Sequence, residues 1–263
     1  MKAGEYCKGG NPVKVWKTAS AQSLDEAGAI SLYIAAMKIP ATGVILAAAG
    51  EGRRLGSPLP KALVPLAGTP LFLHSLRTFA ALPYVKEIAV VLPAEWVDRI
   101  RKQLGRRLES LKVTTLVPGG ARRQDSVRIG LEATTSPIVL VHDAARPLVT
   151  RQAITELTLA AARHGAAVLS HPAVDTIKIA DGRGRVVSTP DRARVWHAQT
   201  PQGFRRTVLL NAYKVNGRKD ATDDVQLVER AGGKVVIVPG PATNFKVTTP
   251  DDLSRAAKLL DRT

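Results

Sequence analysis

The chain has almost no cysteine and few aromatic residues. Its 263 residues include one cysteine, Cys7, and aromatic side chains make up 4% of the sequence. A single thiol forms no internal disulfide and supplies no thiolate cluster for zinc or an iron–sulfur centre, so we interpret Cys7 as incidental. The shortage of aromatics also argues against a surface on which nucleic-acid bases stack.

Long apolar runs are missing too. No stretch approaches the roughly 20 apolar residues that cross a bilayer, and the N-terminus lacks a basic patch followed by an apolar core. The hydrophobic content of 45% is nevertheless enough to bury a core. We therefore expect a globular, cytoplasmic protein with no membrane partner.

Acidic residues are outnumbered, with 22 Asp and Glu against 38 Lys and Arg and a net charge of +16. This excess makes a nucleic-acid-binding protein an alternative to an enzyme. The basic residues are spread along the sequence, however, with clusters near a glycine-rich loop and at Arg122-Arg123. We interpret most of the charge as solvated surface and expect those clusters to attract an anionic small molecule rather than nucleic acid.

The glycine-rich loop is the most informative segment. It follows a strand-like run at 44–48, continues through Gly50-Glu51-Gly52-Arg53-Arg54 and is followed by Pro60-Lys61. Glycines let the backbone N–H groups approach a ligand closely, and the neighbouring cations suit a polyanion such as a triphosphate. The alternative interpretation is a plain strand-to-helix turn with solvated arginines.

Two common phosphate-binding loops do not fit this segment. A dinucleotide-binding fingerprint needs a third glycine where the chain has Leu55. A P-loop needs Gly-Lys-Ser/Thr, whereas Lys61 follows Pro60 and precedes Ala62. Nicotinamide enzymes and P-loop ATPases are therefore disfavoured.

Short apolar runs alternate with helical patterns after residue 43, which predicts an α/β fold with a mainly parallel, three-layer sheet. The predicted strands cover 44–48, 87–92, 112–117, 138–141 and 166–169, and the predicted helices include 71–82 and 94–104. Helix starts are predicted at Thr69-Pro70, Thr222 and Pro250. Residues 175–180 and 185–188 predict a β-hairpin that protrudes as an arm.

The chain divides into two predicted parts. Residues 1–41 contain no arginine and are interpreted as an N-terminal extension outside the catalytic core. Residues 42–263 form the predicted catalytic domain, with the arm at about 172–197. An isolated hairpin is only marginally stable, so we expect the arm to pack on a second subunit.

Several polar residues directly follow predicted strands and should meet at one edge of the sheet. Asp143 is a candidate magnesium ligand, although it could instead cap a helix near Thr150 or pair with Arg146. His142 is interpreted as structural. The loop at 118–127 could read a base or ribose or be an ordinary capped loop. Lys246 could point to the same edge as Lys61 or be solvated.

Together these segments resemble the 2-C-methyl-D-erythritol 4-phosphate cytidylyltransferase family. The resemblance starts near Gly43 and rests on an ordered series of motifs. The series comprises the Ala-Ala-Gly-x-Gly-x-Arg loop, Pro60-Lys61, Gly119-Gly120 with Arg123 and Asp125-Ser126-Val127, 141–147 (Val-His-Asp-Ala-Ala-Arg-Pro), Asp175-Thr176, 196–198, 200–202, Thr222-Asp223, and Asn244 with Lys246.

The resemblance implies a Rossmann-like nucleotidyltransferase fold, a homodimer clasped by the arm, and Mg²⁺-dependent transfer of CMP from CTP to methylerythritol phosphate with release of pyrophosphate. It implies catalytic roles for Arg54, Lys61 and Lys246 and a Mg²⁺ ligand at Asp143. The implied nucleotide-binding residues are Ala48, Ala49, Gly50, Gly52, Gly120 and Ser126. The implied acceptor-binding residues are Arg146, Thr200 and Thr222, with Thr176 and Arg192 contributed by the partner's arm.

One departure bears on specificity. Ala121 stands where several relatives carry an acidic residue that contacts the nucleotide, so the base preference is less firmly implied than the transfer chemistry. A ribitol 5-phosphate cytidylyltransferase is the alternative enzyme, because it shares the loop and most of the region around Asp143.

Overall fold

The computed structural model describes residues 38–50, 55–217 and 219–261. The strands in this part of the chain are β1 (Thr42–Ala47), β2 (Pro65–Leu66), β3 (Thr69–Pro70), β4 (Val85–Leu92), β5 (Val113–Pro118), β6 (Ile138–Asp143), β7 (Ala166–Pro172), β8 (Ile179–Ala180), β9 (Val186–Ser188), β10 (Trp196–Arg205) and β11 (Val236–Pro239). The α-helices are α1 (Leu71–Ala80), α2 (Ala94–Ser110), α3 (Arg123–Glu132), α4 (Arg151–His164), α5 (Arg206–Asn216), α6 (Asp224–Arg230) and α7 (Pro250–Leu260).

The centre of the fold is a seven-stranded sheet with the order β11-β7-β10-β6-β1-β4-β5. Neighbouring strands are parallel except that β10 runs antiparallel between β6 and β7. The predicted α/β class with a mainly parallel sheet is therefore confirmed. Because the strands share a direction, the carboxyl ends of β1, β5 and β6 meet at one edge.

Both faces of the sheet are covered by helices, which gives the predicted three layers. Along β1, Val44 and Leu46 belong to the apolar cluster that includes residues of α1, α2 and α4, whereas Ile45 belongs to the cluster of α3, α5 and α6. Successive strand residues point to opposite faces, so a strand buried on both sides is apolar throughout. This explains the near-continuous apolar run of β1.

Two predicted helix starts are shifted in the structure. Thr69 lies in β3, and Pro70 rather than Thr69 is the N-cap of α1, without a side-chain hydrogen bond. Asp223 rather than Thr222 caps α6, because its carboxylate accepts the Gln226 N–H. The start at Pro250 is confirmed, with Thr249 as its N-cap.

Strands β10 and β11 were not predicted from the sequence. The middle of β10 contains Thr200-Pro201-Gln202-Gly203, a composition typical of a turn rather than a strand. Its register shifts between Ala198 and Gln202 where it pairs with β7. The strand forms despite this turn-like composition because β10 pairs with β6 on one side and with β7 on the other.

The predicted arm is present as a short antiparallel hairpin of β8 and β9. Its turn is organised by Asp181, whose carboxylate accepts the N–H groups of Arg183 and Arg185, and Gly184 adopts a φ of 78°. Within the described ranges, four of the five large exposed apolar side chains lie on the arm, with Val174 74%, Ile179 50%, Val186 62% and Val187 66% exposed.

The predicted extension is described only from residue 38 onward. Ile39 packs against the cluster that includes Leu46, and the Thr42 hydroxyl donates to the Pro40 carbonyl. The rest of the extension, including Cys7, lies outside the described residues. Over the ranges that are described, no helix is both long enough and apolar enough to cross a membrane.

Gly130 sets how closely α3 approaches β1. A Cβ atom at this position would lie 2.5 Å from Ile45 Cγ2 and 3.3 Å from Val91 Cγ2, so only glycine fits without displacing the sheet. Gly105, inside α2, differs because nothing lies within 4 Å of the position its Cβ would take.

We expect Gly130→Ala to lower the free energy of unfolding by about 1–3 kcal/mol through overpacking. Gly105→Ala should instead raise it by about 0.5–1 kcal/mol, since alanine is the better helix former and has room. Urea unfolding of the two variants measures whether the free energy of unfolding falls in Gly130→Ala and rises in Gly105→Ala. Equal effects from the two substitutions would contradict the proposed contact of α3 with β1.

Candidate active site

A cavity of about 700 Å³ opens at the edge where β1, β5 and β6 end. Its charged lining residues in the described part of the chain are four cations and one carboxylate. The lining consists of Ala47, Ala48, Ala49, Gly50, Lys61, Ala62, Gly120, Ala121, Arg122, Arg123, Ser126, Asp143, Ala144, Ala145, Lys246 and Thr248. A concave site with this excess of positive charge suits a polyanionic ligand.

Asp143, the last residue of β6, is the carboxylate of this cavity and is 8% exposed. Its Oδ1 accepts from Arg123 Nε at 3.1 Å, and its Oδ2 accepts from Lys246 Nζ at 2.7 Å. Burial alone would raise the pKa of the carboxyl, but the charges of Arg123 and Lys246 outweigh burial and hold the pKa below its usual value. Asp143 is therefore ionised at neutral pH and bound to two cations.

His142 and Thr200 fix the backbone of this aspartate. The carbonyl of Arg146 can only accept, so His142 Nε2, 3.1 Å away, carries a proton. Burial lowers the pKa of His142 to about 4, so the neutral ring leaves Nδ1 as an acceptor for the Thr200 hydroxyl at 3.2 Å. The same hydroxyl oxygen accepts the Asp143 N–H at 3.0 Å. These contacts agree with the structural interpretation of His142.

Arg123 connects Asp143 to a second buried carboxylate. Its Nη1 lies 2.7 Å from Oδ2 of Asp224, the first residue of α6, which is fully buried. The Tyr213 hydroxyl is 2.8 Å from Oδ1 of the same carboxylate. Burial and the charge of Asp224 raise the pKa of Tyr213, so the phenol stays protonated and serves as the donor.

Lys246 is directed to the cavity by the segment before α7. The next residue, Val247, is fully buried against Ala256 and its neighbours, and its N–H donates to the Ala145 carbonyl. The Asp252 carboxylate then accepts the N–H groups of Thr248 and Thr249 in a capping box. The lysine therefore follows a tightly held turn, although its own side chain is 41% exposed.

The loop from β5 to α3 packs directly against the glycine-rich loop after β1. A Cβ atom on Gly119 would lie 2.5 Å from Ala49 Cβ and 2.8 Å from Ser126 Oγ, so the close approach requires glycine. The Gly120 N–H donates to Ser126 Oγ at 3.1 Å, and the Ala48 N–H donates to the Val91 carbonyl. Of these residues, Ala48, Ala49, Gly120 and Ser126 line the cavity, but the N–H groups of Ala48 and Gly120 are already hydrogen-bonded within the protein.

The donor set limits how a metal could bind. Among the described residues no group of three or more His, Cys, Asp or Glu side chains is placed to hold a metal ion. Magnesium is often bound through one or two carboxylates together with water and substrate phosphates. A single ionised Asp143 on the wall of a large cationic cavity fits that mode and does not fit a metal cage made by the protein alone.

The cavity brings together most of the predicted nucleotide and catalytic residues. Among the predicted residues, those that line it are Ala48, Ala49, Gly50, Lys61, Gly120, Ser126, Asp143 and Lys246. Thr200 is buried just behind Asp143. Gly52 and Arg54 lie outside the described residues.

The remaining predicted residues do not line the cavity. Arg146 is half-buried beside it and donates through Nη1 to the Asn244 carbonyl at 2.7 Å, while its buried Nε has no hydrogen-bond partner among the described residues. Thr222 is exposed before α6. Thr176 and Arg192 are exposed on the arm, where Arg192 Nη1 donates to the Val174 carbonyl.

Three residues of this site were not named individually as site residues from the sequence. Arg123 appeared in the Arg122-Arg123 cluster that was expected to attract an anion and within a family motif, but not as a partner of Asp143. Asp224 and Tyr213 carry no comparable signal, because their proximity to Arg123 arises only when α3, α5 and α6 pack on the same face of the sheet.

Comparisons with known proteins agree with this geometry. The profile of the 2-C-methyl-D-erythritol 4-phosphate cytidylyltransferase family matches residues 42–262. A protein of that name from Syntrophus aciditrophicus (strain SB) is 40% identical over 227 residues, covering 85% of this chain and 97% of that protein. Another protein of that name, from Symbiobacterium thermophilum, is 42% identical over 236 residues, which cover 88% of this chain and 98% of that protein.

Solved structures are similar as well. The crystal structure of 2-C-methyl-D-erythritol 4-phosphate cytidylyltransferase from Thermus thermophilus has a TM-score of 0.68 and 36% identity, covering 84% of this chain and 98% of that chain. The crystal structure of 4-diphosphocytidyl-2C-methyl-D-erythritol synthase from Anaerococcus prevotii has a TM-score of 0.74 and 29% identity, and the match covers 84% of this chain and 96% of that chain.

The contacts of the Thr200 hydroxyl lead to a stability prediction. Thr200→Val should lower the free energy of unfolding by about 1–3 kcal/mol, because the buried Asp143 N–H loses its acceptor. Thr200→Ser keeps the hydroxyl and serves as the matched control in urea unfolding. If valine and serine destabilise the protein equally, the hydroxyl does not hold the Asp143 backbone.

Proposed function

The chain belongs to the 2-C-methyl-D-erythritol 4-phosphate cytidylyltransferase family, and we propose that it transfers CMP from CTP to 2-C-methyl-D-erythritol 4-phosphate with release of pyrophosphate. The observation that carries the proposal is the match over residues 42–262, which includes every element around the cationic cavity. Its product would enter isoprenoid synthesis through the methylerythritol phosphate pathway.

The charges of the cavity suit the chemistry of this transfer. A phosphate oxygen of the acceptor attacks the α-phosphorus of CTP in line, the bond to the β-phosphate oxygen breaks, and that oxygen leaves with pyrophosphate. Negative charge gathers on the equatorial oxygens and on the leaving group. In our proposal Lys61 and Lys246 stabilise this charge from the cavity wall, and Arg54 adds to them.

Asp143 is the residue that would hold Mg²⁺, together with the phosphates of CTP. When bound, the ion neutralises phosphate charge and helps to orient the triphosphate. Asp143 suits this role because it is ionised and lies at the cavity wall. Its Oδ2 becomes available when Lys246 turns from the carboxylate to a phosphate oxygen.

The other predicted contacts divide between base and acceptor. Ala48, Ala49, Gly120 and Ser126 would lie against cytosine, and the exposed Ala121 leaves this wall without an acidic side chain. Arg146, which lies beside the cavity and donates through Nη1 to the Asn244 carbonyl, would contribute positive charge on the acceptor side. Thr200 and Thr222 complete the predicted acceptor side.

The proposed reaction is tested by pyrophosphate release. With Mg²⁺, we expect turnover with CTP and 2-C-methyl-D-erythritol 4-phosphate, and much less with ATP, GTP or UTP or with ribitol 5-phosphate. Lys61→Ala should reduce kcat by about 100–1000-fold, because one stabilising charge at the transition state is lost. Lys258→Ala, an exposed lysine on α7, is the control and should retain activity.

Each outcome has a distinct meaning. Turnover with ribitol 5-phosphate instead would keep the transfer chemistry and reject the acceptor. No turnover with any pair, combined with tight and strongly salt-dependent binding to RNA or DNA, would reject the enzyme and favour a nucleic-acid-binding protein. A fully active Lys61→Ala variant would reject the assigned role of Lys61.

We also propose that two copies of the chain pair through the arm. The supporting observation is that Val174, Ile179, Val186 and Val187, all on the arm, are at least half exposed. An exposed apolar cluster on a marginal hairpin gains most by packing on another surface. Thr176 and Arg192 would then reach the partner's acceptor site. The cytoplasmic location and the absence of a nucleic-acid partner stay predictions.

The dimer is tested by light scattering after size exclusion. The protein should have about twice the chain mass of 28.1 kDa. The Val186→Asp/Val187→Asp double variant should shift toward the monomer, because burying the new carboxylates is costly. Val215→Asp is the matched control, since Val215 is 63% exposed but lies on α5. A monomeric native protein, or an unaffected double variant, would contradict the proposal.

A further inference from the structure

A chain of polar contacts runs from the interior of the α3, α5 and α6 layer to the wall of the cavity. The Tyr213 hydroxyl contacts Asp224 at 2.8 Å, Asp224 contacts Arg123 at 2.7 Å, and Arg123 contacts Asp143 at 3.1 Å. The resemblance assigned no separate role to the first three residues. Of these four residues, only Asp143 was predicted to bind a ligand, as the Mg²⁺-binding residue.

The inner end of this chain is fixed by the backbone. Asp224 is fully buried at the start of α6, and Gln202 of β10 accepts the N–H groups of Asp224 and Val225 through Oε1. Gln202 Nε2 also donates to the Asp223 carboxylate at 2.9 Å. Asp224 is therefore held through the same strand that carries Thr200, the residue bonded to the Asp143 backbone.

The outer end depends on the shape of a guanidinium group. Arg123 uses Nη1 for Asp224, and both Nε and Nη2 lie 3.1 Å from Asp143 Oδ1. A planar fork can bridge two carboxylates in this way, whereas an ammonium group is a single point charge on a flexible stem. The arrangement thus fixes the direction of the Asp143 carboxylate as well as its charge.

The two cations on Asp143 differ in how firmly they are held. Lys246 contacts Oδ2 with a side chain that is 41% exposed and that must turn toward phosphate in the proposed reaction. Arg123 is 30% exposed and is anchored by a fully buried carboxylate. When Lys246 leaves, Arg123 remains to compensate the charge of a nearly buried Asp143, which would otherwise be costly to keep ionised.

We propose that Arg123 is a positioning residue for Asp143, and that Asp224 and Tyr213 hold Arg123 in the required orientation. This inference rests on the proposed CMP transfer. It adds a function for three side chains that need not touch CTP or the acceptor themselves. Their effect is to keep Asp143 Oδ1 occupied and Oδ2 directed to the cavity while Lys246 changes its partner.

The first test removes the Tyr213 hydroxyl, which contacts Asp224 at 2.8 Å and the Gln124 carbonyl at 3.1 Å. Tyr213→Phe should lower kcat by about 10-fold, the low end of the range for partners bonded directly to metal ligands, because Tyr213 acts on Asp143 through Asp224 and Arg123. The KM for CTP should change little, because the loss falls on the reacting geometry rather than on ground-state binding. Calorimetric CTP binding in EDTA, which involves neither turnover nor metal, should stay within about twofold of the native value.

Tyr84→Phe is the matched control. Tyr84 is also buried, and its hydroxyl lies 2.8 Å from Thr155 Oγ1 on α4, away from the cavity. Removal of either hydroxyl should lower the urea midpoint. Only Tyr213→Phe should lower kcat of the folded enzyme, so a purely structural role would make the two variants behave alike.

The second test separates charge from geometry. If Arg123 supplies only a positive charge, Arg123→Lys restores the activity lost in Arg123→Gln. We expect instead that lysine leaves kcat about 10–100-fold below the native value, because it cannot bridge Asp143 and Asp224. Asp224→Asn should also lower kcat, and adding Tyr213→Phe to it should cost little more, since both act through one contact.

The outcomes separate this inference from the function on which it rests. If the native chain transfers no CMP, the proposed function fails and the inference fails with it. If the native chain is active while Tyr213→Phe and Arg123→Lys match its kcat, the positioning role is wrong and the function stands. If the Arg123 variants are too unstable to purify, the comparison of Tyr213→Phe with its Tyr84→Phe control decides whether the positioning role is correct.

Discussion

The site depends on one constraint, which is the need to keep a nearly buried carboxylate ionised. Asp143 ends a fully buried strand, where a lone charge would be strongly disfavoured. Arg123 compensates its charge at Oδ1 and Lys246 at Oδ2, and Thr200 holds its backbone. The same cations give the cavity its excess of positive charge. The same cations therefore both compensate the charge of Asp143 and attract a triphosphate to the cavity.

The antiparallel strand β10 is the element that assembles this arrangement. Within three residues it supplies Thr200 to the backbone of Asp143 and Gln202 to the start of α6. It is inserted between β6 and β7, and from there it contacts both the last residue of β6 and the first residue of α6. A substitution in β10 can thus affect the cavity without touching a ligand.

Glycine has a specific role at the two close approaches near the site. Gly130 lets α3 lie directly on β1, and Gly119 lets the loop before α3 contact Ala49. Both approaches place Arg123, the first residue of α3, within reach of Asp143. A side chain at either glycine would push α3 outward and lengthen the ion pair between Arg123 and Asp143. Substitutions at these glycines should therefore change the electrostatics of the cavity.

The sequence by itself determined the α/β class and the edge of the sheet at which the cavity opens, and the family resemblance pointed to Lys61, Asp143 and Lys246, which line that cavity. Periodicity and strand-end position are local properties, so they are readable without coordinates. Only the tertiary structure decided that β10 is a strand and that Asp224 meets Arg123. Arg123 and Asp224 are 101 positions apart, and β10 is held by strands that are also distant in sequence; such long-range contacts leave no periodic signal.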